Sequence, residues 1–244
     1  MPTPQFVIIT TAYNNKAWLE RMLHSVLNQK SSNWRLIYID DASNDGSVEL
    51  ARKRLETEGT RVRLVTNHSR IGLLANLNRA VSTCADDEVI VSVDGDDWLI
   101  GEHVIETLTE IYKDPDVWLT YGSYQNDSDG SRGMYSRELP RVIVEKNLFR
   151  KYPWASSHLK TFKTWLFRRI NPEDLRIDGE YFRVTTDHAM MYPMLEMSGL
   201  HSRYIEKILY VYNDKNPLNS SVCEPRTALF NRTTILRRPP YEAL

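Results

Sequence analysis

Glu88-Val89-Ile90-Val91-Ser92-Val93-Asp94-Gly95-Asp96-Asp97 joins an apolar, β-branched run directly to three carboxylates in four residues. The run has the length and composition of a buried strand, so the carboxylates fall at its carboxyl end. Three upstream stretches repeat the apolar half of this pattern. Phe6-Val7-Ile8-Ile9-Thr10 leads into the polar cluster Thr11 to Asn15, Leu36-Ile37-Tyr38-Ile39 leads into Asp40-Asp41, and Val62-Arg63-Leu64-Val65 is the third. Helical stripes separate them: Leu19, Met22, Leu23, Val26 and Leu27; then Val48 to Glu58, stopped by Gly59; then Leu73 to Val81. Alternating strand and helix predicts an α/β fold with a mostly parallel central sheet flanked by helices. Ligands of such sheets bind beyond the carboxyl ends of the strands. The polar clusters Thr11–Asn15, Asp40–Asp45 and Asp94–Asp97 all collect there.

After Gly101 the pattern loosens. Val104, Ile105, Leu108, Ile111 and Tyr112 mark a helix, and Val117 to Tyr121 a strand. Gln125 to Gly133 reads as a loop able to move over a site. Helices are expected over Trp154–Arg169 and Asp187–Met197, one or two strands over Ser202–Tyr212, and a loose tail at Arg237-Arg238-Pro239-Pro240. Met190, Met191, Met194 and Leu195 read as core of the second of those helices.

Composition narrows the function classes. Of 244 residues, 41% are hydrophobic and 26% charged, enough for a core without disulfides. A net charge of −1 gives no global field toward nucleic acid or anionic lipid, so any anionic ligand has to be held locally. Cys84 and Cys223 cannot build a disulfide framework or a cysteine zinc site. The short apolar run Phe6–Ile9 is neither a signal core nor a membrane span, and no later stretch is apolar enough to cross a bilayer. The expectation is a cytoplasmic protein, with peripheral membrane contact left open.

Three adjacent carboxylates oppose one another's ionisation unless a cation neutralises them, and Mg²⁺ or Mn²⁺ bound with substrate phosphates is the natural partner. The alternative is a solvated acidic turn capping the next helix. At Asp40-Asp41, Asp41 is assigned the ligand role, accepting from a uracil imide or ribose hydroxyls. Ser43 or Asp45 is assigned the helix cap beside Gly46. Arg70, ahead of the third helix, can pair with phosphate or stack on a base, or be a plain loop arginine.

Thr11-Ala12-Tyr13-Asn14, Ile39-Asp40-Asp41-Ala42-Ser43-Asn44-Asp45-Gly46-Ser47 and Val93-Asp94-Gly95-Asp96-Asp97-Trp98, in this order and at these separations, resemble family 2 glycosyltransferases. The resemblance covers most of the first hundred residues. It implies a GT-A (Rossmann-like) fold and an inverting enzyme using a nucleotide-diphosphate sugar with Mn²⁺ or Mg²⁺, UDP being favoured by Asp41. Residues 1–100 would form the nucleotide-sugar-binding half of the globule and 101–244 the acceptor-binding half. The resemblance places Thr11, Tyr13, Asp41 and Arg70 at the donor nucleotide, Asp94 or Asp96 near the ribose, and Asp96 with Asp97 at the metal and diphosphate.

Asp187 resembles the family's base aspartate at a helix start, with an N-cap as the bland alternative. The chain carries Thr186-Asp187 where Glu-Asp is usual, Ala75-Asn76 where an arginine is usual, and Lys215, Asn216 and Asn219 where Arg and His are usual. The last segment is expected to be a plain turn. Trp154, His158 and His188 are acceptor-side candidates, each with a core reading beside it, and Trp98 is donor wall or core. The acceptor is expected to be a glycan or other hydroxyl. Two rivals stand against glycosyl transfer: a sugar nucleotidyltransferase, opposed by the absence of glycine from Thr10 to Lys16, and a non-catalytic sugar-nucleotide or glycan-binding module.

Overall fold

In chain order the elements are β1 (Phe6–Ala12), α1 (Lys16–Leu27), β2 (Trp34–Asp40), α2 (Ser47–Leu55), β3 (Val62–Thr66), α3 (Leu73–Val81), β4 (Val89–Asp94), β5 (Trp98–Leu99), α4 (Val104–Tyr112), β6 (Leu119–Asn126), α5 (Arg141–Glu145), β7 (Lys160–Lys163), α6 (Thr164–Arg168), β8 (Arg176–Ile177), β9 (Glu180–Tyr181), α7 (Thr186–Ser198), β10 (Ser202–Tyr212) and α8 (Pro225–Arg237). This is a computed structural model that describes residues 3–219 and 223–244.

Eight strands form one sheet in the order β3-β2-β1-β4-β7-β6-β10-β5. β1 pairs in parallel with β2 on one side and β4 on the other, and β2 continues in parallel to β3. β7 enters antiparallel between β4 and β6, β10 runs parallel to β6, and β5 closes the edge antiparallel to β10. The strand order reverses at β1, which puts the crevice beyond Ala12 and Asp94 at a topological switch point.

The two-residue period of β1 explains the layers. Phe6 and Ile8 face a core with Leu19, Met22 and Leu23 of α1, Ala51 of α2 and Leu108 of α4. Val7 and Ile9 face the opposite core, with Leu74 and Leu77 of α3, Leu166 of α6, Met190 and Met194 of α7, and Ile235 of α8. Burial on both faces is what the unbroken apolar runs of β1, β2 and β4 required.

Three stretches depart from expectation. Of Trp154–Arg169, only Thr164–Arg168 is helical, and Lys160–Lys163 is a strand with Ser92 opposite Lys160. Pairing on both sides, with Phe162 fully buried, outweighs the local helical stripe. The tail is docked rather than loose: the Arg238 guanidinium donates to the carbonyls of Asp174 and Arg176, and the Leu244 N–H donates to the Met197 carbonyl. The loop from Gln125 to Gly133 is pinned, because Asp127 takes ion pairs from both Arg21 and Lys215. Among the described residues, no helix is long and apolar enough to cross a membrane.

Candidate active site

The three loops at the carboxyl ends of β1, β2 and β4 are stitched to one another. The Asn14 N–H donates to Ser43 Oγ at 2.8 Å, and the Asn44 N–H donates to Asn14 Oδ1 at 2.9 Å. Asp45 Oδ2 accepts from the Lys16 N–H at 2.9 Å, while its Oδ1 accepts from the Ser47 N–H at 3.0 Å, serving the starts of α1 and α2 together. Asn15 Nδ2 donates to the Gly95 carbonyl at 2.6 Å, tying the first loop to the acidic one. Gly95 permits that approach. A Cβ there would lie 2.6 Å from Ala12 Cβ and 2.9 Å from the Thr11 carbonyl oxygen, inside van der Waals contact. Thr11, Asp41 and Asp94, expected at the donor nucleotide, therefore share one rim, with Thr11 in register between Ile39 and Asp94.

Asp41 is buried and spends both carboxylate oxygens on the next loop. Oδ1 accepts from the Ile71 N–H at 2.9 Å and from Asn67 Nδ2 at 2.8 Å, and Oδ2 accepts from the Gly72 N–H at 2.8 Å. Burial pushes this carboxyl up, but the hydrogen bonds outweigh it and leave it below the usual range. The same bonds fix Arg70, whose guanidinium lies 4.0 Å from the centre of the Tyr13 ring. Two expected donor-side residues thus meet as a cation–aromatic pair.

The acidic cluster divides by environment. Asp94 and Asp96 are partly exposed, whereas Asp97 is buried. Asp97 accepts from the Tyr210 hydroxyl at 2.7 Å and from the Asn213 N–H at 2.7 Å, and Tyr210 in turn accepts from the Asp94 N–H at 3.1 Å. Asp96 accepts from Asn216 Nδ2 at 2.6 Å. Burial raises Asp97 well above the normal carboxylate range, Asp96 and Asp94 raise it further, and its two hydrogen bonds only partly compensate. Asp94 is pushed up to about 6, chiefly by burial, against the pull of Lys160. The segment after β10, expected to be a plain turn, is therefore a clamp on Asp96 and Asp97 through Asn216 and Asn213.

Lys160 and Asp187 bring the second half of the chain to this cluster. The Lys160 side chain is 1% exposed, and its Nζ lies 2.6 Å from Asp187 Oδ1, while Asp187 remains 28% exposed. Burial disfavours the Lys160 charge, but Asp187 and Asp94 more than offset it and keep the ammonium protonated. Burial likewise pushes Asp187 up, yet the Lys160 ammonium holds it well below the usual carboxylate range. One lysine is thus shared between the end of β4 and the start of α7.

His158 lies with the carboxylates rather than at a separate acceptor face. A ligand atom from each of Asp94, Asp97 and His158 falls within 4.8 Å of the others. The imidazole stacks on Tyr210 at 4.6 Å, its Nδ1 has no hydrogen-bond partner among the described residues, and burial pushes its pKa down to about 3, so it is neutral. Trp154 and His188 stack on each other at 4.1 Å, with Tyr192 against both. Trp98 is core, covered by the Arg21 guanidinium at 3.7 Å. Gly95, Lys160, Tyr210 and Asn213 are the residues that composition and periodicity do not single out. The unusual Lys160 between Leu159 and Thr161 is the one sequence signal among them, a charge set in an otherwise strand-like run.

Comparison with known proteins identifies the family and the fold. The model of Glycosyl transferase family 2 matches residues 7–175. The putative glycosyltransferase EpsE of Bacillus subtilis is 35% identical over 94 residues, covering 38% of this chain and 34% of EpsE. The Escherichia coli protein WfgD, a UDP-Glc:α-D-GlcNAc-diphosphoundecaprenol β-1,3-glucosyltransferase, is 25% identical over 175 residues, covering 65% of this chain and 67% of WfgD. The chain therefore spans only about a third of EpsE. Among solved structures, the mannosyltransferase PcManGT of Pyrobaculum calidifontis, in complex with GDP-Man and Mn²⁺, superposes with a TM-score of 0.68 at 18% identity, covering 98% of this chain and 66% of that one. S. aureus TarS in complex with UDP-GlcNAc gives 0.64 at 14% identity over 89% of this chain and 60% of that one. These likenesses establish the GT-A fold. With the family match extending over more than half of its 244 residues, the chain belongs to glycosyl transferase family 2.

Proposed function

We propose that this chain transfers a sugar from a nucleotide-diphosphate donor to an acceptor hydroxyl with inversion, in glycan synthesis. Asp94, Asp96, Asp97 and His158 lie on the donor side in this reading, and Asp187 is the base. The observation that carries it is the buried Lys160, which pairs with Asp187 and also feels the charge of Asp94 at the end of β4. Donor-side and base-side groups are thereby held in one cleft, as an in-line displacement requires.

The residues present fit a divalent cation, Mn²⁺ or Mg²⁺. Asp94, Asp97 and His158 offer two carboxyl groups and a neutral imidazole around a common space, and Asp97 is buried with no ion-pair partner among the described residues. Bound there with the donor diphosphate, the ion would supply neutralisation of the charge on the departing nucleotide.

This chain's own residues do the rest. Tyr13 and Arg70 border the nucleobase with Thr11, and Asp41, expected to read a uracil, instead spends both oxygens holding the loop that carries Arg70. Lys160 occupies Asp187 Oδ1, which leaves Oδ2 to take the acceptor's proton as its oxygen attacks the anomeric carbon and the bond to the nucleotide diphosphate breaks. A cation so close weakens Asp187 as a base but keeps it ionised and aimed. Trp154 and His188 stand beside it on the acceptor side.

The test is release of nucleoside diphosphate from UDP- and GDP-sugars with Mn²⁺ present. Asp187→Asn should keep donor binding and lose turnover by roughly 10²–10⁴-fold. Turnover unaffected by that change would remove Asp187 from the mechanism. Tight donor binding without turnover in the unaltered protein would favour a sugar-nucleotide-binding module instead.

A further inference from the structure

Helix α8 presents a face of unusual composition that no other described residue covers. Leu229 is 67% and Phe230 62% exposed, the two largest adjacent apolar side chains left to solvent on any helix described. Arg226, Leu229, Phe230, Thr233 and Arg237 follow the spacing i, i+3, i+4, i+7 and i+11, which sets them on one side. Arg226, Arg232 and Arg237 are exposed and make no ion pair among the described residues, and from Pro225 to Arg238 there is no acidic residue at all. The chain as a whole carries −1, so this basic stretch is a local feature rather than part of a general field.

The opposite side of the helix is firmly held. Ile235 is buried, its carbonyl accepts from the Arg150 guanidinium at 2.6 Å, Asn231 Nδ2 donates to the Val184 carbonyl at 3.0 Å, and the Ala228 carbonyl accepts from the Thr185 hydroxyl at 3.2 Å. A rigidly mounted helix whose solvent face sets arginines and large apolar side chains among threonines, with no acidic residue, has the chemistry of an interfacial helix. Its apolar groups enter the headgroup–acyl boundary while its cations meet lipid phosphates. A protein partner of opposite charge would match the arginines but would not require Leu229 and Phe230 to protrude between them.

We propose that α8 docks the protein on an anionic phospholipid surface, with Leu229 and Phe230 inserting and Arg226, Arg232 and Arg237 pairing with headgroup phosphates. The segment Val184–Thr185, to which α8 is bonded, leads directly into Asp187, so docking holds that segment near the lipid surface. The proposal stands whether or not the transfer reaction does.

The test is flotation with vesicles of phosphatidylcholine alone and of phosphatidylcholine mixed with phosphatidylglycerol. Binding is expected only with the anionic vesicles and should weaken as salt rises. Arg226→Gln/Arg237→Gln should lower partitioning about 25-fold, two cations each contributing about fivefold. Leu229→Ser/Phe230→Ser should lower it at least tenfold, with circular dichroism melts unchanged because both side chains are already in solvent. If that pair does lower the melt, the arginine pair decides the question. Absence of binding, equal binding to neutral vesicles, or wild-type binding by the arginine variant would overturn the proposal. So would light scattering showing a wild-type dimer that either pair converts to monomer, since the face would then be a contact between copies.

Discussion

Replacing Lys160 with methionine removes the one buried cation from a cleft that holds Asp94, Asp97 and Asp187, and keeps most of the side chain's volume. Lysine Nζ lies 2.6 Å from Asp187 Oδ1 in a strand position that is 1% exposed. Breaking a buried pair by deleting one partner costs about 3–5 kcal/mol, because the remaining charge is left uncompensated. Asp187 retains 28% exposure, so water takes up part of its charge, and a cost below that range, about 2–3 kcal/mol, is expected. For a chain of this size that is a fall in Tm of roughly 5–10 °C. The assay is a double-mutant cycle read by urea and thermal melts at neutral pH, using Lys160→Met, Asp187→Asn and both together. The double variant should be more stable than Lys160→Met alone, with a coupling above about 1 kcal/mol. It should not recover wild-type stability, because Asp94 still lacks the nearby ammonium. Lys160→Arg should restore part of the loss. Additive single effects, or a Lys160→Met protein that melts like the wild type, would refute the claim that this ion pair organises the cleft.

Two further outcomes follow from the same structure. Gly95→Ala would place a methyl 2.6 Å from Ala12 Cβ and 2.7 Å from Ala12 Cα, forcing two loops apart at a cost of about 1–3 kcal/mol; an unchanged melting temperature would show that the loops yield freely. His188 is held neutral, pushed down to about 4 by burial, with Arg232 and Lys160 adding to the shift and Asp187 opposing it, against 6.5 when unfolded. Its neutral-state stability is therefore complete above pH 6.5 and is lost as pH falls toward 4, since the unfolded chain binds the proton first. The stability of the wild type minus that of His188→Gln should rise between about pH 4 and 6.5 and then level off; a flat or falling difference in urea melts contradicts the burial argument.

The parallel strands were legible because burial on both faces leaves a mark in one dimension. Val7, Ile8 and Ile9, or Val89, Ile90 and Val91, are apolar at every position and flanked by polar loops. β7 leaves no such mark. Its two lysines argue for a surface, and Lys160 is buried only because Asp187, 27 residues further on, meets it. The tail was misjudged for a related reason. Arg238 beside two prolines reads as solvated, while its partners are the Asp174 and Arg176 carbonyls, more than 60 residues away.

In the site, the carboxylates stood out because they follow directly on strands. What they do individually depends on packing: Asp97 faces Tyr210 and Asn213, and Asp41 is spent on Ile71 and Gly72. His158, expected on the acceptor side, joins the carboxylates because β7 runs beside β4. Gly95 has no distinguishing neighbour in the sequence, and only the approach of Ala12 shows why a side chain is excluded there.

In the proposed reaction, the site formed by Asp94, Asp97, His158 and Asp187 takes a nucleotide-diphosphate sugar together with a divalent cation. Thermal melts with UDP- and GDP-sugars, each with Mn²⁺, Mg²⁺ or EDTA, test it most directly. At about 100 times its dissociation constant a donor adds roughly 2.7 kcal/mol, or a Tm rise of about 5–11 °C. The account predicts such a rise for at least one donor only when metal is present, and its loss in Asp94→Asn. Stabilisation that is indifferent to EDTA and to Asp94→Asn, or none with any donor, would contradict it.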